Sequence, residues 1–85
     1  MRDDTDFHGQ AVLITGGASG IGWAAAQGFA QRGALVMVAD LKEDMATGRV
    51  RELGGRHRGI GGDVSDEAAV DRMVHATVEA FNRLD

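Results

Sequence analysis

The residues from Thr15 to Gly22 are those whose types and spacing could do chemistry, and that chemistry is the binding of a pyrophosphate. The segment reads Thr-Gly-Gly-Ala-Ser-Gly-Ile-Gly and directly follows the apolar run from Ala11 to Ile14. A glycine turn between a strand and a helix lets the backbone approach an anion closely, because no Cβ stands in the way. The helix that follows would point its first N–H groups and the positive end of its dipole at that anion.

Two acidic residues further along the chain could complete a nucleotide site. Asp40 follows Gly22 at close to the spacing of about 20 residues at which dinucleotide-binding folds place an acid that accepts the ribose hydroxyls. A carboxylate there would repel a 2′-phosphate, and Lys42 is the only nearby cation, which favours NAD over NADP. After the third predicted strand, Asp63 could accept a hydrogen bond from the adenine amino group, and Val64 could offer its backbone N–H.

The elements that must position these residues alternate along the chain. Strands are predicted where apolar residues are consecutive, which is typical of parallel strands covered on both faces. The predicted strands are Ala11–Thr15, Leu35–Ala39 and His57–Gly62, and the predicted helices are Gly20–Arg32, Glu43–Leu53 and a third that follows Ser65 and ends at Asn82. Three strand–helix units in succession predict an α/β fold around a parallel sheet with right-handed crossovers.

Several positions within these elements carry their own predictions. In the first helix we expect Ile21, Ala25 and Phe29 to face the sheet and Trp23 to face outward. The third strand is predicted from the order of elements, because its sequence Arg-His-Arg-Gly-Ile-Gly-Gly has a poor strand propensity. Ser65 is the expected N-cap of the third helix. The expected apolar side of that helix comprises Val70, Met73, Val74, Thr77 and Phe81.

The glycine turn, Asp40 and the pair Asp63-Val64 together resemble the cofactor-binding residues of the short-chain dehydrogenases/reductases. The turn has that family's Gly-x-x-x-Gly-x-Gly spacing, and the resemblance covers nearly all of the chain after residue 7. It implies a Rossmann-type three-layer fold with strand order 3-2-1, truncated before a fourth strand for which Leu84 looks like the entry. Helices one and two would cover one face of the sheet, and helix three the other.

The resemblance also implies a set of cofactor-binding residues, with NAD as the expected cofactor and NADP less favoured. The matching positions are Gly16, Ala18, Ser19, Gly20, Ile21, Gly22, Asp40, Leu41, Asp63 and Val64. Members of the family continue with an Asn-Asn-Ala-Gly motif and then supply a catalytic Ser, Tyr and Lys. This chain has no Tyr, and its only Lys is Lys42, so no catalytic residue carries over.

The composition is that of an ordinary globular chain. Its 85 residues are 44% hydrophobic and 26% charged, which indicates one globular domain or a piece of one, and the resemblance implies that residues 1–85 are a partial NAD(P)-binding domain. The net charge of −4 argues against nucleic acid or an anionic membrane as a partner. Cysteine is absent and the three histidines lack ligand spacing, so we expect no disulfide and no metal site. The acidic start is unlike a signal peptide and no apolar run could span a membrane, which makes the cytoplasm the default location.

Two functions from different classes remain open. In the first, the chain is the cofactor-binding N-terminal half of an NAD-dependent oxidoreductase. The complete protein would then transfer a hydride between the nicotinamide and an alcohol or carbonyl substrate. In the second, the chain is a free-standing nucleotide-binding module or an inactive fragment without turnover. In the second case one edge of strand one and part of one face of the sheet would be uncovered. Since exposed strand edges invite pairing with another chain, we expect the isolated chain to be weakly stable and to aggregate or form a homo-oligomer such as a dimer.

Overall fold

The computed structural model describes residues 7–16 and 20–85, and these residues form three strands that alternate with three helices. None of these helices has both the length and the hydrophobicity that crossing a lipid bilayer would require. The elements are β1 (Ala11–Thr15), α1 (Gly20–Gln31), β2 (Leu35–Asp40), α2 (Glu43–Leu53), β3 (Arg58–Gly61) and α3 (Glu67–Phe81). The predicted succession of elements is therefore confirmed, with bounds that differ by one residue or less.

The strands form one parallel sheet in the order β1-β2-β3, which confirms the predicted order 3-2-1. Ala11 lies beside Leu35 at one end of the sheet, and Asp40 lies beside Gly61 at the other. The central strand is buried without a break from Val36 to Ala39. This continuous burial explains its run of consecutive apolar residues, since both of its faces are covered.

Each face of the sheet has its own core. On one face, Val36 and Val38 of β2 pack with Ala26 of α1 and Ala46 of α2. On the other face, Met37 of β2 and Ala11 of β1 pack against Phe81 of α3. The prediction that helices one and two share a face while helix three covers the other is confirmed. The sheet is thereby the middle layer of a three-layer fold.

The rotation of α1 differs from the prediction. Ala26 is fully buried, whereas Ile21 is 90% exposed, so the prediction that Ile21 faces the sheet is wrong. Phe29 packs against the core that contains Ala26, as predicted. Residues four apart drift round a helix by about 40° at each step, and Ile21 ends about 140° from Ala26. The prediction that Trp23 faces outward is also wrong, because Trp23 packs against the core that α1 and α2 form with the sheet. The Arg49 guanidinium lies 5.0 Å from the centroid of its ring. The α1–α2 contact therefore includes a cation–π pair.

Two glycines explain why β3 is a strand despite its poor propensity. A Cβ on Gly59 would lie 2.8 Å from the backbone of Ala46 and Thr47, and a Cβ on Gly61 would lie 2.8 Å from the backbone nitrogen of Glu43. Helix α2 therefore rests directly on the backbone of β3. Any larger residue at either position would push the helix away from the sheet.

The ends of α3 show one correction and one confirmation. The expected N-cap Ser65 is wrong, because the helix begins one residue later and Asp66 caps it by accepting from the Ala68 N–H at 2.9 Å. Both residue types cap helices well, so local sequence does not separate them. Asn82 ends the helix in the left-handed conformation, as predicted, with φ of 65°. On the apolar side, Met73, Thr77 and Phe81 are buried as predicted. Val70 is half-buried, Val74 is exposed, and Ala69 is buried although it was not predicted.

The segment after α3 returns to the open side of β1. The Asp85 N–H donates to the Ala11 carbonyl oxygen at 2.8 Å, and the Ala11 N–H donates to Asp85 Oδ2 at 2.9 Å. Residues 82–85 form no strand, so Leu84, which was predicted to lead into a fourth strand, is not itself part of the sheet. Its position beside β1 nevertheless matches the place of a fourth strand in the order that the family resemblance implies.

His57 lies at the amino end of β3, which is the end of the sheet opposite to the glycine turn. Strand β3 begins one residue after His57. In place of a backbone carbonyl of β3, the imidazole Nδ1 of His57 accepts a hydrogen bond from the Val36 N–H, 3.0 Å away. Burial lowers the pKa of His57 from its usual value of about 6.5. The neutral imidazole is therefore the form that completes the sheet, because a protonated Nδ1 cannot accept a hydrogen bond.

We expect the chain to lose stability between pH 7 and pH 5 because His57 becomes protonated. A folded-state pKa below the unfolded value gives stability that is complete above about pH 6.5 and is lost as the pH falls through the folded value. Urea unfolding at both pH values measures the loss, and His57→Gln, which keeps an acceptor but does not titrate, should reduce it. His75→Gln removes an exposed imidazole and should preserve it. An equal loss in His57→Gln and the parent would contradict this role.

Candidate functional site

The carboxyl ends of the three strands border one cleft of about 170 Å³. This is the edge at which open α/β sheets bind their ligands. The cleft is lined by Gly16, Ala39, Asp40, Leu41, Gly62, Asp63 and Val64. Residues that lie far apart in the sequence, and that were predicted to share a site, are therefore neighbours here.

Asp40 is held in place by the end of the sheet. It is the last residue of β2, and its carbonyl oxygen accepts the Gly62 N–H at 2.9 Å. Its side-chain Oδ1 accepts the Leu41 N–H at 2.8 Å. Because both the backbone and the carboxylate are bonded, the position of the acid at the mouth of the cleft is well defined.

Asp63 is oriented by the residue two positions further on. Its Oδ1 accepts the Ser65 N–H at 2.9 Å and the Ser65 hydroxyl at 2.8 Å. These two bonds, the backbone one more than the side-chain one, lower the pKa of Asp63. The carboxylate is therefore ionised at neutral pH, where it can only accept hydrogen bonds.

The glycine turn is described at its two ends. Gly16 follows β1 with φ of 64°, and Gly20 begins α1 with φ of 59°, a conformation that side-chain-bearing residues rarely adopt. A Cβ on either would meet no atom of the described residues within 4 Å, so among these residues it is the backbone conformation that favours glycine at both positions. Gly20, Ile21 and Gly22 form the first turn of α1. The predicted site residues Ala18 and Ser19 lie outside the described residues.

Exposed apolar side chains border the cleft and the start of α1. Besides Ile21, the most exposed large apolar residues of the described chain are Leu41 at 71% and Val64 at 56%. Leu41 and Val64 come from different connections and both line the cleft. Exposed apolar surface beside the carboxylates of this cleft is suited to a flat aromatic ring, which would cover it.

Three residues at this edge were missed by sequence reasoning. Ala39 and Gly62 line the cleft, and Ser65 orients Asp63 without lining it. The signal for Gly62 was its place in a glycine pair at the end of a predicted strand. In the structure Gly62 has φ of 157°, and a Cβ there would lie 2.7 Å from Met73 Cε. No local signal separates Ser65 from an ordinary helix cap.

The charges at this edge are mostly negative. Lys42 is the basic residue of the β2–α2 connection, and it is exposed. The carboxylates of the strand ends, connections and first helical turns are Asp40, Glu43, Asp44, Asp63, Asp66 and Glu67. Such a rim favours ligands that donate hydrogen bonds and disfavours additional phosphate groups near Asp40.

Comparisons with known proteins agree with this arrangement. The family model described as enoyl-(acyl carrier protein) reductase matches residues 16–85. A 2,5-dichloro-2,5-cyclohexadiene-1,4-diol dehydrogenase of Sphingobium indicum is 48% identical over 79 residues, which is 89% of this chain and 32% of that protein. Tropinone reductase-like 2 of Erythroxylum coca is 43% identical, with 93% of this chain and 29% of that protein covered.

A further relative extends the range of named substrates. D-threitol dehydrogenase of Mycolicibacterium smegmatis is 40% identical over 96% of this chain and 34% of its own length. The chain thus spans about a third of the length of the curated relatives it matches. What these proteins share with it is the segment that carries the cleft.

Proposed function

This chain belongs to the short-chain dehydrogenase/reductase family, and we propose that it binds the adenosine diphosphate part of NAD for an oxidoreductase. The family's oxidoreductases use NAD(P). The observation that carries the proposal is the cleft that brings Gly16, Asp40 and Asp63 together at the carboxyl edge of the sheet. When bound, the nicotinamide of such a cofactor accepts or donates a hydride.

Each part of the nucleotide has residues that fit it. The Asp40 carboxylate accepts the ribose hydroxyls, and the Asp63 carboxylate accepts the adenine amino group. Leu41 and Val64 offer apolar contact to the base, and the Val64 N–H offers a donor to its edge. The pyrophosphate would lie against the first turn of α1, where N–H groups that have no partner within the helix and the helix dipole favour an anion.

NAD is favoured over NADP by the charge at this edge. A 2′-phosphate would lie beside the Asp40 carboxylate, and the acidic residues of the α2 first turn add to the repulsion. Lys42 is exposed and offers a single positive charge against them. The substrate of a complete enzyme would be an alcohol or a carbonyl compound, since these are what exchange a hydride with a nicotinamide.

Binding by the 85-residue chain tests this proposal directly. Calorimetric titrations with NAD, ADP-ribose and NADP should give similar dissociation constants for the first two, because the residues proposed here contact only their shared part. NADP should bind about tenfold more weakly, a difference of about 1.4 kcal/mol. A two-dimensional NMR spectrum establishes that the titrated chain is folded. Equal affinities for NAD and NADP, or no binding by the folded chain, would contradict the proposal.

The second candidate is a binding module without turnover. The 85 residues include no Tyr, and their only Lys is Lys42 in the exposed β2–α2 connection. In an enzyme, a Tyr–Lys pair that moves a proton to or from a substrate would therefore have to come from residues beyond these 85. The reading frame after Asp85 separates the two functions: an Asn-Asn-Ala-Gly followed by Tyr-x-x-x-Lys supports the enzyme, and a stop codon supports the module.

A further inference from the structure

The Ser65 hydroxyl donates a hydrogen bond to the side chain of Asp63 and does not cap the helix that follows. Asp66 caps α3, which leaves the Ser65 hydroxyl available to donate to Asp63. We propose that Ser65 is a positioning residue for base recognition: it holds one oxygen of the Asp63 carboxylate and so directs the other toward the amino group of adenine. This inference rests on the proposed function, because it assumes that adenine occupies the cleft.

The hydrogen bonds around Asp63 restrain both its side chain and its backbone. The Ser65 N–H and hydroxyl converge on the same oxygen, Oδ1, at 2.9 and 2.8 Å. The Asp66 N–H donates to the Asp63 carbonyl oxygen at 3.0 Å and closes the turn. Since Asp63 is otherwise an exposed residue, these bonds are what limit its rotamers. A carboxylate ordered before binding loses less entropy when it accepts a ligand's N–H.

The orientation of the carboxylate has a consequence for which base is bound. An ionised carboxylate only accepts hydrogen bonds, and adenine presents an amino group at position 6. Hypoxanthine presents a carbonyl oxygen there, which would face the Asp63 oxygen with like partial charge. A site built to accept a ligand's N–H strongly rejects the analogue that lacks it. A carboxylate free to rotate could instead turn to the ring N–H of hypoxanthine, so discrimination depends on Ser65.

The experiment compares NAD with nicotinamide hypoxanthine dinucleotide, which differ only at position 6 of the base. Calorimetric dissociation constants are measured for the 85-residue chain and for Ser65→Ala. The parent should prefer NAD by about tenfold, as expected for one hydrogen bond to a charged group. Ser65→Ala keeps the backbone N–H but loses the hydroxyl, and it should reduce that preference to about twofold, chiefly by weakening NAD.

Two control variants separate positioning from stability. Asp66→Ala removes the cap of α3 but retains the backbone N–H that bonds Asp63, so it should destabilise the chain and leave the base preference unchanged. Ser65→Thr keeps the hydroxyl and should also retain the preference. An NMR titration of the Asp63 carboxyl carbon adds a readout without ligand: its pKa should rise in Ser65→Ala, because one of the two bonds that lower it is gone.

The outcomes distinguish a failure of the proposed function from a failure of the proposed role of Ser65. If the folded parent binds neither dinucleotide, the proposed function fails. If the parent prefers NAD and Ser65→Ala keeps the full preference, the role of Ser65 is overturned while the proposed function stands. A loss of preference in Asp66→Ala equal to that in Ser65→Ala would also overturn it, since the start of α3 would then be responsible. A loss in Ser65→Ala that Ser65→Thr restores supports it.

Discussion

Replacing Gly59 with valine is expected to lower the free energy of unfolding by about 3 kcal/mol or more, because α2 can no longer rest on the sheet. A Cβ at this position would lie 2.8 Å from the backbone carbon of Ala46 and the backbone nitrogen of Thr47. These are helix backbone atoms, which cannot move aside as a flexible side chain can. Ala46 is fully buried, and Val50 and Leu53 of the same helix pack on the same core, so moving the helix weakens several contacts.

The size of the chain makes this loss decisive. A domain this small buries a limited fraction of its surface and has little stability to spare. Gly48→Val is the matched control, because Gly48 is an exposed residue of α2 whose added Cβ would meet nothing within 4 Å. It should change stability by less than about 0.5 kcal/mol. Urea unfolding followed by circular dichroism compares the variants, and equal midpoints would mean that α2 does not depend on close approach to β3.

Replacing Asp40 with alanine is expected to weaken NAD binding by about tenfold and to remove the preference over NADP. The carboxylate is the group proposed to accept the ribose hydroxyls, and hydrogen bonds to a charged acceptor are among the stronger ones in proteins. The same charge is the one that would lie nearest to a 2′-phosphate. Its loss should therefore weaken NAD while NADP binds as well as before or better. Calorimetric dissociation constants for the two dinucleotides measure both effects.

Two variants separate the specific role of Asp40 from the general acidity of this edge. Asp44 is an exposed acid in the first turn of α2 whose Oδ1 accepts the N–H of the next residue, Met45, at 3.0 Å. This local bond resembles that of Asp40 with Leu41, so Asp44→Ala removes the same charge and the same kind of bond outside the cleft. Because Asp44 adds only to the general repulsion, this variant should keep most of the preference for NAD. Asp40→Asn keeps the shape and should lose the preference, whereas an unchanged ratio in both Asp40 variants would remove Asp40 from the ribose site.

Much of the fold follows from residues that are close together in the sequence. The apolar runs of β1 and β2 predict strands covered on both faces, and the glycine turn between β1 and α1 predicts where the first helix begins. Asn82 ends α3 as its residue type predicts. The grouping of Asp40 with Asp63 could also be predicted, because parallel strands bring their carboxyl ends to one edge. These features depend on local periodicity, backbone conformation and chain direction.

The features that were mispredicted depend on what packs against each element. The spacing of Ile21, Ala25 and Phe29 is helical, but the direction in which α1 faces depends on how Ala26 and Trp23 pack against the sheet and α2. Likewise, the composition of β3 is poor for an isolated strand, and only the closeness of α2 shows why glycine belongs at Gly59.

At the start of α3, too, local sequence determines one part of the structure and tertiary contacts determine another, here for single hydrogen bonds. Sequence alone determined that a helix begins near Ser65 and Asp66, because both residue types satisfy unpaired N–H groups at a helix start. Only the tertiary structure decided that Asp66 caps the helix while Ser65 holds Asp63 beside the cleft. The physical reason is that capping propensity is a property of a residue, whereas the partner of a hydroxyl depends on which acceptor the folded chain brings within reach.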